Sequence, residues 1–110
     1  KIDIEKTKEI LAHFIGTHDF RLFCKQADAQ KNSIRTIFYA RAYAYKDFSV
    51  FKFRANGFLR AQIRFIIAAV LQVLAKKLSQ SELLEQISSQ KAHIRTPAPP
   101  NGLYLSHIFY

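Results

Sequence analysis

The stretch 51–74 constrains the fold more than any other part of this chain. Phe51, Phe53 and Ala55 alternate with Lys52 and Arg54, Asn56-Gly57 interrupts, and apolar residues then recur at helical spacing to Leu74. Alternation of this kind needs a strand with one covered face, and Asn-Gly needs a turn. Placed at about 100° per residue, Leu59, Ile63, Ile66, Ile67, Val70, Val73 and Leu74 cover one side of a helix. The spacing predicts a helix over 58–77 with Arg60 and Arg64 in its first two turns. Both arginines fall on its shoulder, neither central to the core nor turned fully to water. A strand that hands over to such a helix holds an arginine rigidly.

The flanks supply the remaining elements. Ile4, Ile10, Leu11 and Phe14 predict an amphipathic helix stopping near Gly16. Residues 17–23 read as a loop or helix start with Phe20 and Phe23 turned inward, and 28–33 as a polar connection. Ile34 to Tyr45 is rich in β-branched and aromatic residues, which favours a strand. Strict alternation places Ile34, Thr36, Phe38, Ala40, Ala42 and Ala44 on a face expected to pack on helices. Arg35, Ile37, Tyr39, Arg41, Tyr43 and Tyr45 share the other, open to RNA, to another protein surface or to a helix.

Lys46-Asp47 reads as a hairpin connection into a second strand, 48–55. Ser79 or Ser81 starts a short helix through Ile87, with Glu82 in its first turn. Pro97 to Gly102 cannot be helix, and Leu103, Leu105 and 108–110 form a last strand. The order helix, strand, strand, helix, helix, strand predicts an α+β fold, an antiparallel sheet backed by helices, in a single domain over 1–110.

Charge narrows the partner. Of the net +9, eight cations lie between Lys31 and Arg64 against one acid, Asp47, so the basic charge is local. Such clustering favours a polyanion, whose condensed counterions are released on binding. Cys24 is alone, which excludes an internal disulfide framework and suits a reducing compartment. The longest apolar run, 65–71, is too short to span a membrane. His13, His18, His93 and His107 have no metal-ligand spacing, and three glycines are too few for a phosphate-cradling loop. Methionine is absent even at position 1, so the chain is expected to be a fragment. A guanidinium half-sunk at Arg64 needs an anion; one of the chain's few acids and a group from outside it are equally open.

Three motifs then resemble a known family. Gly16-Thr17-His18-Asp19-Phe20-Arg21-Leu22-Phe23 looks like the G-x-H-D-F-x-x-F passage that opens the C-terminal half of the tRNA pseudouridine synthase A (pseudouridine synthase I) family. Asn56-Gly57-Phe58-Leu59-Arg60-Ala61-Gln62-Ile63-Arg64 resembles its N-x-F-L-x-x-M-V-R helix start, and Ala98-Pro99-Pro100-Asn101-Gly102-Leu103-Tyr104-Leu105 its closing A-P-x-x-G-L-x-L strand. The motifs occur in the family's order and cover nearly all of the chain. Gln62, Phe65 and Ala68 stand where the family has methionine, asparagine and glycine.

The resemblance implies a tRNA-modifying isomerase that converts uridine to pseudouridine in the anticodon stem-loop, without cofactor or metal, usually as a cytoplasmic homodimer. It implies that Arg64 pairs with the catalytic aspartate and that Leu103 lines the uracil pocket. That aspartate belongs to an N-terminal half with a motif like R-T-D-x-G-V-H-A, which does not occur here. The chain alone is therefore expected to be inactive, with tRNA and the N-terminal half as partners and no membrane. Arg41, Lys52, Arg54 and Arg60 are the expected RNA-binding cations. The competing readings are a stand-alone RNA-binding module and a dimerisation domain whose tyrosine face meets protein.

Overall fold

The computed structural model describes residues 2–99 and the backbone of 108–109. The chain begins with helix α1, Ile4–Ala12, whose Asp3 carboxylate accepts the Lys6 backbone N–H. That side chain satisfies a donor the first helical turn leaves over. Strand β1, Gly16–Asp19, follows where a loop or helix start is expected. A 3-10 turn, Arg21–Phe23, and the four-residue helix α2, Gln26–Ala29, then lead into β2, Ile34–Tyr45, and β3, Phe48–Ala55. Helix α3, Gln62–Leu74, helix α4, Gln80–Ile87, and the two-residue strand β4, Ile108–Phe109, complete the order.

The sheet runs β1-β2-β3-β4. The first three strands are antiparallel and helices back them, the α+β layer the sequence predicts, with β1 a strand it does not. β4 departs from an all-antiparallel sheet by pairing parallel to β3, with Phe53 opposite Ile108. Lys46 turns the hairpin with φ 54°, the left-handed conformation that tight two-residue connections require.

One irregularity changes the face assignment. Ile37 is opposite Ala55 and Tyr39 is opposite Arg54, so Phe38 is an extra residue, a β-bulge. The parity of the strand changes across it. Before the bulge Ile37 is the buried residue; after it Ala40 and Ala42 are. This corrects the strict alternation: Ile37 belongs to the core, while Ile34 and Phe38 are exposed. Ala44 is exposed as well, at the hairpin end.

Between the sheet and the helices lies an aromatic core. Phe14, Phe20, Phe23 and Phe53 are essentially inaccessible, each burial worth about 1.5–3 kcal/mol relative to exposure. Phe14 and Phe23 meet edge to face at 5.3 Å. The Gly16–Phe23 motif builds part of this core. Asp19 accepts the Arg21 backbone N–H and the Ser33 hydroxyl, which turns the chain so that Phe20 and Phe23 point inward.

Helix α3 keeps its predicted apolar face, with Ile63, Ile66, Ile67, Val70 and Val73 buried and Leu74 partly so. Phe65 and Ala69 are buried too, because α3 touches α1, the 3-10 turn and α4. It is shorter than expected. Ala61, at φ 62°, blocks continuation toward Arg60, and Ala75 ends it.

Candidate functional site

Alternation along β2 and β3 assembles a basic and aromatic surface on the outer face of the sheet. After the bulge, Tyr39, Arg41, Tyr43 and Tyr45 point away from buried Ala40 and Ala42. Their register partners are Arg54, Lys52, Val50 and Phe48. The Arg41 guanidinium lies 4.2 Å from the Tyr39 ring centroid, a cation–π contact that holds the charge against the strand. Arg41 and Lys52 are directly opposite each other. Among the described residues neither forms an ion pair with a carboxylate. The structure thus brings Arg41, Lys52 and Arg54 together on one face.

Arg60 lies outside that group and outside the helix. Its backbone N–H donates to Asp28 Oδ2 at 2.7 Å, its Nε lies 3.5 Å from Asp28 Oδ1, and its carbonyl accepts the Lys25 N–H. These contacts hold the Asp28 carboxyl below the usual range, the Arg60 backbone N–H being the chief cause. Gln62 completes the entry to α3. Its Oε1 accepts the Leu59 N–H at 2.8 Å while its own N–H reaches the Leu59 carbonyl. These bonds close the turn 59–62 ahead of the helix, while Ala61 at the N-cap position provides no side-chain cap.

Arg64 is half-buried on the shoulder of α3, as the helical spacing predicts. Its Nε donates to the Ala98 carbonyl at 2.8 Å, and the Ala98 N–H returns a bond to the Arg64 carbonyl at 3.0 Å. Among the described residues no carboxylate lies within ion-pair distance of this guanidinium. Asp28 pairs with Arg60 instead; for Arg64 the sequence leaves a chain acid and a group from outside equally open. Leu103 lies outside the described residues.

Two positioning residues escaped the sequence reading. Ala98 is one, and its signal is chemical. In the run Pro97-Ala98-Pro99-Pro100 it carries the only backbone N–H. Gln86 is the other. Fully buried, it donates to the Leu22 and Ile94 carbonyls and accepts the His93 and Ile94 N–H groups. Gln86 and Arg64 therefore fix the segment 93–98 at its two ends. A hollow of about 630 Å³ beyond the C-terminal end of α3, lined by Lys6, Lys76, Lys77 and Glu82 among others, is separate from Arg64. Among the described residues no three His, Cys, Asp or Glu side chains converge as a metal site, and no helix is long and apolar enough to cross a membrane.

Comparison with known proteins identifies the family. The family model described as tRNA pseudouridine synthase matches residues 10–110. A Campylobacter jejuni (strain RM1221) tRNA pseudouridine synthase A is 54% identical over 110 residues, covering 100% of this chain and 46% of the relative. The Helicobacter hepaticus protein of that name is 45% identical over 103 residues, covering 94% of this chain and 42% of its own length. The Wolinella succinogenes one is 37% identical over 108 residues, covering 98% and 43%. The chain spans less than half the length of these relatives.

Proposed function

Because the chain belongs to the tRNA pseudouridine synthase family, we propose that it serves as the C-terminal half of an enzyme converting uridine to pseudouridine in the tRNA anticodon stem-loop. The catalytic aspartate comes from an N-terminal half outside this sequence. Arg64 meets it. A guanidinium beside a carboxylate favours the ionised form, and an arginine already fixed through Nε presents its remaining donors in a set direction. Leu103 lines the uracil pocket, and Arg41, Lys52, Arg54 and Arg60 contribute charge for the tRNA backbone. The whole enzyme works in the cytoplasm as a homodimer, and the chain alone is inactive.

The observation that carries this reading is Arg64 itself. It is half-buried, held by Ala98, and has no carboxylate partner among the described residues. A half-buried charge without its counter-ion is costly, which supports an anion delivered from elsewhere.

Complementation tests it. The chain is mixed with a separately produced N-terminal half carrying the aspartate, and tritium release from uracil-labelled tRNA is followed. Activity only in the mixture, lost on Arg64→Ala, is the expected result. Turnover by the chain alone, or full turnover with Arg64→Ala, would overturn the assignment. If the two halves associate without turnover while the chain still binds RNA, a binding module becomes the better description.

A further inference from the structure

The end of the β2–β3 hairpin has a construction that the half-enzyme reading does not account for. β1 pairs with β2 as far as Ile37, and among the described residues β4 meets β3 at Phe53 and Arg54. The two strands of this hairpin ribbon pair with each other as far as Tyr45 and Phe48. At its end both faces are open, Ala44 and Ser49 on one, Tyr43 and Tyr45 on the other. Its outer face carries Tyr43 and Tyr45, 40% and 56% exposed, where large aromatic rings usually seek cover.

Given the reading above, on which this rests, we propose that the outer face of the ribbon holds unpaired nucleotides of RNA, with bases stacked on Tyr43 and Tyr45 and phosphates met by Arg41 and Lys52. Alternate side chains on a strand are about 6.6 Å apart, which leaves room for one flat ring between the two tyrosines. Aromatic platforms beside cations are the general means of gripping single strands. A duplex keeps its bases stacked internally and has no free base face for the tyrosines.

Charge selects the occupant. Arg41 and Lys52 face each other across the strands, and like charges in that arrangement destabilise a sheet. A polyanion relieves the repulsion. A second copy of this +9 chain, seated on the same patch, would add to it. A neutral protein surface would have to strip water from Arg41, Lys52 and Arg54 without compensation.

The test uses the full-length enzyme that carries this chain and a 12-nucleotide oligouridine as probe. Tyr43→Leu with Tyr45→Leu is expected to weaken oligouridine binding about tenfold or more, since stacking contributes on the order of 1–3 kcal/mol per base. The salt dependence should stay the same, and the double Phe variant should restore affinity. Arg41→Gln with Lys52→Gln should instead flatten the salt dependence by about 0.7 for each phosphate that is no longer neutralised. In the unmodified enzyme, ultraviolet cross-linking to 4-thiouridine RNA should mark Tyr43 or Tyr45, whatever the folding of the variants.

Unchanged affinity in the double Leu variant would overturn the proposal. So would cross-links found only outside 39–54, or a loss of self-association with RNA affinity intact. Arg64→Ala separates the two readings, because it should abolish turnover while leaving oligouridine affinity unchanged. If turnover survived that substitution, the half-enzyme assignment would fail and the stacking face would stand.

Discussion

Arg64 and Ala98 bind each other in both directions, the arginine Nε giving to the Ala98 carbonyl and the Ala98 N–H giving to the Arg64 carbonyl. One pair of residues therefore attaches the proline-rich segment to α3 and fixes the axis of the guanidinium. Pro97 and Pro99 have no N–H to offer, and a residue preceding proline is confined to extended backbone. The segment has a single donor and little freedom in how it presents it.

Arg64→Lys should separate charge from direction. Lysine keeps the cation but loses the fixed fork, so stability should fall by about 1–2 kcal/mol with the hydrogen bond to Ala98. In the full-length enzyme turnover should fall by about tenfold or more, a barrier change of on the order of 1.4 kcal/mol, with KM for tRNA little changed. Urea unfolding and initial rates check both. Wild-type values for each would remove Arg64 from both roles.

Gln86→Leu should be among the most damaging substitutions in α4. It keeps the volume roughly but leaves the Leu22 and Ile94 carbonyls and the His93 and Ile94 N–H groups without their partner. Each orphaned buried group costs about 1–3 kcal/mol where water cannot replace the bond. A total loss of about 3 kcal/mol or more is expected by denaturant titration, and a loss below about 1 kcal/mol would show that 93–94 is not clamped there.

Acid should loosen two surface anchors. The Arg60 backbone N–H, chiefly, holds the Asp28 carboxyl below its ordinary range, and the Ser79 backbone N–H does so for Glu82. A carboxylate with a lowered folded-state pKa adds stability that is present above its ordinary value and disappears as pH falls through the folded one. Thermal stability should therefore hold from neutrality to about pH 5 and decline below it. Asp28→Asn should reduce that slope, and an unaltered slope would count against the Asp28–Arg60 anchor.

Cys24 should resist alkylation. It is 7% exposed, and burial first, then the Asp28 and Asp19 charges, push its thiol up to about 11. At pH 8 the native protein should react slowly with iodoacetamide and rapidly once unfolded. The sign of the linkage follows. An unfolded thiol ionises first, so this contribution is complete below about pH 8.5 and declines as pH rises toward the folded value. Rapid labelling without unfolding would contradict the burial.

Arg64 was legible in the sequence because helical spacing alone puts it on the shoulder of α3. Arg60 was not, although it shares the same row. Its position depends on Asp28, 32 residues away, and on a left-handed Ala61, and neither leaves a mark in local composition. β1 was hidden for a similar reason. Gly16–Asp19 has only four residues, and its pairing with Ile34–Ile37 is what makes it a strand. The open face of β2 was legible from Tyr39 to Tyr45 and misread before it. Phe38 is as good a strand former as its neighbours, so no residue type announces the bulge.

That bulge makes chain length at β2 matter differently from one position to the next. Losing Phe38 would pair Ile37 and Tyr39 with Ala55 and Arg54 as ordinary successive neighbours, leaving every other side chain facing as it does now. Losing any single residue between Tyr39 and Tyr45 would reverse part of the strand and turn arginine or tyrosine toward the helices. Gene copies of this region should therefore tolerate a missing codon at position 38 and reject one a few positions further on.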